Sequence, residues 1–256
     1  MADLISSLPD EIICYILSFL PSQQVVATSV LSKRWNLLWR FVPSLDFDTF
    51  NKYFWLLIDS SNKFSSSVCS FLVRRGDQPF YKFRLKGFSS MDVTECMKTQ
   101  IWTTVSESGR VQILDLYCDW DTEIPSVVFS FKTLVALKLN FITMEYISFV
   151  DLPLLKILHL KNIISPIEID LSHILSGCPN LEELKVKGLI SRTIEKFIRL
   201  PKLVRASMDD VLLPLNFDFH NLVQIQLNVF PDWLLILKVL NHCPKLQILV
   251  ICFYKV

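Results

Sequence analysis

The sequence predicts a mixed α+β and α/β-repeat chain: a small three-helix unit at the N-terminus, then an irregular solenoid on a curved parallel sheet. Residues 4–50 hold three short apolar stretches of helical period separated by prolines, and from residue 107 onward one apolar pattern recurs seven times. Glycine usage removes competing folds. Gly76, Gly87, Gly109, Gly177 and Gly188 are the only five, and none lies within ten residues of another, so neither a dinucleotide fingerprint nor a phosphate loop can be built.

The first helix is expected from Pro9, which suits the first helical position, with Asp10 and Glu11 placing negative charge where the helix dipole favours it. Ile12, Ile16 and Phe19 recur at helical spacing, Ile13, Leu17 and Leu20 widen the stripe, and Pro21 stops it. Ser22 is placed to cap a second helix carrying Val25, Val26 and Val30. Ser32 is placed to cap a third, in which Trp35, Leu38, Trp39 and Val42 follow the i, i+3, i+4, i+7 pattern before Pro43. So small a unit cannot bury that many large apolar side chains by itself, so some must face a partner.

The run Leu8-Pro9, Ile12 to Leu20 with Pro21, then Val30-Leu31-Ser32-Lys33-Arg34-Trp35 and Trp39, resembles an F-box. The resemblance implies docking on a Skp-type adaptor and, through it, a cullin-RING ubiquitin ligase. Carried over position by position, it implies that the adaptor contacts lie among Leu8, Pro9, Ile12, Ile16, Leu20, Val30, Leu31, Trp35 and Trp39. The others of that set pack the three helices together, and the sequence does not say which. The alternative is a plain helical subdomain buried against the remainder of the chain.

After the F-box (4–50) a helical connector is expected over 51–106. Phe50, Phe54, Leu57 and Ile58 share one helical face, and Val68 and Leu72 mark a second helix ending near Gly76. Phe80 to Leu85 alternates apolar and basic residues and reads as a strand at 80–86. Val93, Met97, Ile101 and Val105 predict a helix from about Met91 to Ser106.

The repeat then occupies 107–256: an apolar residue, two variable positions, an apolar, one variable, an apolar. Its members are Val111/Leu114/Leu116, Leu134/Leu137/Leu139, Leu155/Leu158/Leu160, Leu181/Leu184/Val186, Leu203/Ala206/Met208, Leu222/Ile225/Leu227 and Leu246/Leu249/Ile251. First positions stand 23, 21, 26, 22, 19 and 24 residues apart, the period of a leucine-rich repeat. Leu175 to Leu184 matches Leu240 to Leu249, and in both the Cys-Pro pair (Cys178-Pro179, Cys243-Pro244) is expected to end a convex-side helix. The ninth position is Asp119, Ile142, Ile163, Leu189, Val211, Phe230 and Tyr254, so no asparagine ladder can form there and apolar packing is expected. Phe80, Phe83 and Leu85 give an eighth, N-terminal strand.

Together the two parts resemble plant-type F-box proteins with leucine-rich repeats, in which an FBD region often follows. Residues from about 219 resemble its start. The chain stops at Val256 straight after a strand, so a truncated member or a missing cap is expected, with a last repeat that frays.

Composition narrows the function classes. Mean hydropathy is +0.39, and Ile12 to Ser32 carries no charge, but Pro21-Ser22-Gln23-Gln24 breaks that run, so no span is expected. Asp3, Asp10 and Glu11 sit where a signal peptide needs a basic flank, so the chain is expected to be soluble and intracellular, in cytoplasm or nucleus. The seven cysteines (14, 69, 96, 118, 178, 243, 252) form no Cys-x-x-Cys, which reads as buried free thiols with no metal and no cofactor. A net charge of +1 argues against a nucleic-acid binder. No Gly-x-Ser-x-Gly elbow or other catalytic motif occurs, so no catalytic residue is assigned.

The resemblance therefore implies a non-catalytic substrate-recognition subunit of a Skp-cullin-F-box ubiquitin ligase, contributing proximity and not chemistry. The alternative is a leucine-rich-repeat scaffold that recruits no ligase. If the repeat's apolar positions point inward, its third, fifth and seventh positions face the concave surface. These gather Lys138, His159, Lys161, Lys185, Lys187 and Arg205, a candidate surface for an acidic or phosphorylated target. The alternative is an open face solvated by lysines.

Overall fold

The computed structural model describes residues 5, 7–48, 61–87, 95–118, 122–166, 169–189, 198–209, 217–229 and 233–253. The chain divides into two compact units, 1–119 and 120–256.

In the first unit, Pro9 has ψ 151° and so flanks helix α1 (Asp10–Leu17); Asp10 opens the helix where the sequence suggested the proline would. Pro21 likewise precedes α2 (Ser22–Ala27), which tightens into a 3-10 turn at Thr28–Val30. Ser22 does not cap α2. Its buried hydroxyl accepts the backbone N–H of Asp46 at 2.8 Å, tying the helix to the strand that follows. Ser32 accepts the N–H of Trp35 at 3.4 Å, at the start of α3 (Trp35–Leu38), which runs into a 3-10 turn at Trp39–Phe41. Ile13, Cys14, Leu17, Val25, Trp35, Leu38 and Val42 form the core of these helices, with Leu8, Leu20 and Trp39 packed against it.

The next element is a strand the sequence reading does not contain, β1 (Ser44–Asp48), in which Leu45 and Phe47 are buried and Asp46 is turned to the other face. Helix α4 (Ser61–Arg75) ends at Gly76, whose φ of 67° terminates it. Strand β2 (Lys82–Lys86), helix α5 (Glu95–Glu107) and strand β3 (Ile113–Tyr117) complete the unit. The three strands are parallel and in step, Leu45 beside Phe83 and Phe83 beside Leu114. The helix expected at Phe50 to Ile58, and the start of the one expected from Met91, lie outside the described residues.

In the second unit every expected repeat strand forms: β5 (Ala136–Met144), β6 (Ile157–Ile164), β7 (Glu183–Leu189), β9 (Arg205–Asp209), β11 (Gln224–Val229) and β12 (Ile248–Phe253). They pair in that order and in parallel, repeat position against repeat position, and a two-residue strand β4 (Glu123–Ile124) pairs with β5. The return segments carry a 3-10 turn (Ser126–Ser130), helices α6 (Leu171–Ser176) and α7 (Trp233–His242), and the short parallel strands β8 (Ile198–Arg199) and β10 (Phe217–Asp218).

The first, fourth and sixth positions point inward, as the apolar pattern requires: Leu155, Leu158 and Leu160, or Leu222, Ile225 and Leu227, are fully buried. Only in the last repeat are Leu246, Leu249 and Ile251 half-buried. Before each strand the first-position N–H donates three residues back, as in Leu155 to Leu152, Leu181 to Cys178, Leu203 to Leu200 and Leu246 to Cys243. Pro153, Pro179, Pro201 and Pro244 thus occupy the second position of a tight turn, where their fixed φ is favoured. The Cys-Pro pairs follow α6 and α7 and initiate the turn into the next strand as well as ending the helix. Asn180 and Asn221 donate across to the carbonyls of Pro153 and Pro201 at 2.6 Å, stitching neighbouring turns.

A further regularity lies at the eighth position. Phe141, Asn162 and Gly188 are all left-handed (φ 54°, 48° and 56°), and the strand ladders skip them. One extra residue of this kind reverses the side-chain alternation. The ninth positions Ile142, Ile163 and Leu189 therefore turn inward and are buried, giving the expected apolar packing; the other ninth positions lie outside the described residues.

Among the described residues no helix is long and apolar enough to cross a membrane, and no group of three His, Cys, Asp or Glu is placed to hold a metal. Cys14, Cys69, Cys118, Cys178 and Cys243 are buried thiols, whereas Cys252 is exposed. Burial pushes Cys178 and Cys243 up to about 12 and about 11, leaving them inert as nucleophiles.

Candidate functional site

Helix α1 carries two apolar faces, and only one is used internally. Ile13, Cys14 and Leu17 enter the helical core, while Ile12, Tyr15 and Ile16, with Phe19 just beyond the helix, are exposed. Tyr15 and Phe19 meet edge to face at 5.1 Å, the latter with 72% of its surface open. The turn between α2 and α3 adds Val30 and Leu31, exposed by 85% and 65%. Leu37 and Phe41 are also exposed. Soluble chains do not leave this much large apolar surface on some forty residues without a use for it. Arg34 fixes the geometry, its Nε donating to Asp10 at 2.8 Å and its Nη2 to the carbonyl of Leu8, so the start of α3 is held to the start of α1.

The nine residues singled out from the sequence divide accordingly. Ile12, Ile16, Val30, Leu31 and Pro9 lie at the surface. Trp35 is 7% exposed and belongs to the core; Leu8, Leu20 and Trp39 lie against that core, part covered. Trp39 also meets Phe71 of α4 at 4.9 Å and begins an aromatic run that continues through Phe47, Phe83 and Phe80. Sequence reasoning missed Phe47, which lies in a strand inside the run read as F-box helices, and Phe71, although it shares a helical face with Val68 and Leu72. Arg75 stands over the Phe80 ring at 5.8 Å and donates to the carbonyls of Val42, Pro79 and Gln78, so this run and one buried cation brace the helices against the strands of the first unit.

The second set lies on the open face of the second unit. Lys138, His159 and Lys185 are register neighbours on β5, β6 and β7, as are Lys161 and Lys187 on β6 and β7. Glu183 and Arg205 are neighbours on β7 and β9. Sequence position alone did not reveal the role of Glu183, which gathers three of these side chains. Its carboxylate accepts from His159 Nε2 at 2.8 Å, Lys185 Nζ at 2.7 Å and Arg205 Nε at 3.1 Å. Burial raises the Glu183 carboxyl, but the hydrogen bonds from Lys185, His159 and Arg205 outweigh that and hold it down to about 2. Burial also lowers the His159 imidazole; the bond to Glu183 opposes this, and the nearby Lys185 and Lys138 reinforce it. The imidazole is therefore neutral at physiological pH, and its contact is a donated N–H and not an ion pair.

Residues 5–46 match the F-box domain, and residues 100–208 match the leucine-rich repeats of the FBD-associated F-box protein At5g56370. The chain is 35% identical over 201 residues to the F-box/FBD/LRR-repeat protein At5g22700 of Arabidopsis thaliana, covering 77% of this chain and 44% of that protein. It is 40% identical over 190 residues to the F-box/LRR-repeat protein At4g14096 of the same plant (71% and 39%). To the FBD-associated F-box protein At1g66310, also from Arabidopsis thaliana, it is 30% identical over 228 residues (84% and 50%). The chain spans half or less of the length of these relatives.

Proposed function

The chain carries an F-box followed by leucine-rich repeats of the FBD-associated F-box type, and from that premise we propose that it is the substrate-recognition subunit of a Skp-cullin-F-box ubiquitin ligase. The apolar face formed by Ile12, Ile16 and Phe19, with Val30 and Leu31, docks on a Skp-type adaptor. The adaptor connects the chain to a cullin-RING assembly. Residues 107–256, including an FBD-like start from about 219, hold the target, and the chain does no chemistry of its own: it raises the local concentration of a target lysine near the ubiquitin donor.

The observation that carries this reading is the uncovered apolar set on the F-box helices. The helical core is complete without it, so burial inside the first unit does not explain it. Co-purification of the full chain with a Skp-type adaptor tests the reading. Capture of adaptor together with cullin supports it. A soluble, folded chain that captures neither overturns it in favour of a repeat scaffold without ligase recruitment.

A further inference from the structure

We propose that the open face of the second unit takes an extended target segment through two anchors about four residues apart. One is an acidic side chain over Lys185 and Arg205, the other a large apolar side chain over Ile248 and Val250. The inference rests on the reading of the repeats as the target-binding part and names the kind of segment they take.

The repeat register sets the anchors out. The fifth repeat position forms a continuous ladder row from β5 to β12: Lys138, His159, Lys185, Ser207, Gln226 and Val250. Beside it, at the third position, Glu183, Arg205, Gln224 and Ile248 stand on β7, β9, β11 and β12. The inward residues of each strand alternate with these, so both rows face the open side. Along the rows the chemistry passes from charged to polar to apolar. At the charged end, Lys185 and Arg205 share the Glu183 carboxylate, at 2.7 Å and 3.1 Å, so two cations meet one anion and the cluster is net positive. Arg205 makes that contact through Nε and its side chain is 51% exposed, which leaves the Nη edge of the guanidinium accessible to a second carboxylate.

An open face solvated by lysine accounts for the cations but not for the far end. Ile248 and Val250 are exposed by 47% and 39%, and β12 (Ile248–Phe253) carries no charged residue. Apolar side chains gathered in this way mark a surface that something apolar covers. Between the two ends, Gln224 and Gln226 are half-buried on β11. Each amide offers both a donor and an acceptor, as the N–H and C=O groups of an extended chain crossing the strands require. A helix satisfies its own backbone and has no need of them. Charge complementarity therefore selects an acidic residue at one end, and the far end selects an aliphatic or aromatic one. From β7 to β12 is three strand spacings, about 14 Å, and an extended segment covers that in about four residues at ~3.3 Å each.

The test uses the full chain and short degenerate peptide pools, with binding followed by fluorescence anisotropy. One pool fixes Asp and Leu four residues apart, in both chain orders. The others fix Asp alone, Leu alone, or Asp and Leu side by side. The spaced pool is expected to bind at least about tenfold more tightly than each of the others, the size of one interface anchor. The Lys185→Gln, Arg205→Gln variant, in which glutamine keeps a donor for Glu183, should bind the spaced pool no better than the Leu pool. The Ile248→Thr, Val250→Thr variant should bind it no better than the Asp pool. Equal binding of the spaced and side-by-side pools overturns the proposal, and so does equal binding of the spaced pool and either single-anchor pool. A folded variant that keeps the wild-type preference overturns the anchor assigned to those residues. The comparison among pools on the wild-type chain decides the matter even where a variant does not fold. Adaptor capture on the same preparations separates the two readings. A chain that captures adaptor but shows no preference for the spaced pool fails only this inference, and one that captures no adaptor fails the ligase reading independently.

Discussion

The guanidinium of Arg75, at the end of α4, donates to the carbonyl oxygen of Val42 across 2.8 Å, joining the last residue of the F-box core to the turn that enters β2. Arg75 is 3% exposed and its other donors reach Pro79 at 2.9 Å and Gln78 at 3.4 Å, so three backbone carbonyls depend on one side chain. Burial lowers its pKa to about 10, with Cys14 opposing, and it remains charged at neutral pH.

Arg75→Met should therefore leave buried carbonyls without partners and destabilise the first unit by about 2–4 kcal/mol. Arg75→Lys should recover only part of this, because an ammonium cannot match the planar fork. Chemical denaturation followed by tryptophan fluorescence, with Trp35 and Trp39 as reporters, measures both. Equal stability of the wild type and Arg75→Met would show that water serves those carbonyls as well.

Docking and folding should separate by residue on the F-box. Phe19→Ala and Val30→Asp alter exposed side chains and should leave the melting temperature unchanged while weakening adaptor binding at least about tenfold, as truncating an interface anchor does. Trp35→Ala should instead cost about 3–5 kcal/mol by emptying the core. Thermal melts and adaptor pull-down on the same variants distinguish the two classes.

The left-handed step at the eighth repeat position is tested at Gly188. An added Cβ there meets Asn162 Oδ1 at 2.9 Å on a backbone with φ 56°. Gly188→Ala should cost about 1–2 kcal/mol from the left-handed conformation, with a further loss if Asn162 releases Asn140. Urea denaturation of the variant, alone and combined with Asn162→Ala, reads the coupling. If the single variant costs nothing, the step at Gly188 is not held in the left-handed region.

Acid should weaken the second unit in two stages. His159 has a folded pKa below its ordinary 6.5, so the unfolded chain takes up that proton first, and stability falls as pH drops below 6.5. Glu183 has a folded pKa of about 2 against an ordinary 4.5, so its contribution is complete above 4.5 and is lost as pH falls from 4.5 towards 2. Glu183→Gln should remove the lower stage and His159→Gln the upper one. Denaturant midpoints measured from pH 7 to pH 2.5 check both, and unchanged profiles in the variants would exclude these two groups as the source.

Much of this molecule was legible from residue order. Strands at 82–86, 113–117, 136–144 and onward to 248–253 follow from an apolar pattern whose period is fixed by strand geometry, so each Leu158 or Ile225 could face only inward. Proline and glycine are local punctuation, and Pro21, Gly76 and the Pro153, Pro179, Pro201 and Pro244 turns behaved as such. Three things were not legible. Beyond its acidic first turn helix α1 is apolar on both faces, so its sequence could not choose between Ile13/Leu17 and Ile12/Ile16 as the buried face; packing against Trp35 and Leu38 made the choice. Strand β1 is as long as β2 and alternates Leu45 and Phe47 with Asp46 and Asp48, but it lies inside the run read as F-box helices, and its pairing with β2 is what identifies it. Glu183 was one charged residue among many until β6 brought His159 to its carboxylate diagonally and β9 set Arg205 beside it. The sequence by itself determined the elements, the repeat and its inward face, because those depend on local conformation and on a period a few residues long. The tertiary structure alone decided which apolar face of the F-box is left open and which charges meet on the sheet, because those depend on residues that the chain brings together from more than twenty positions apart.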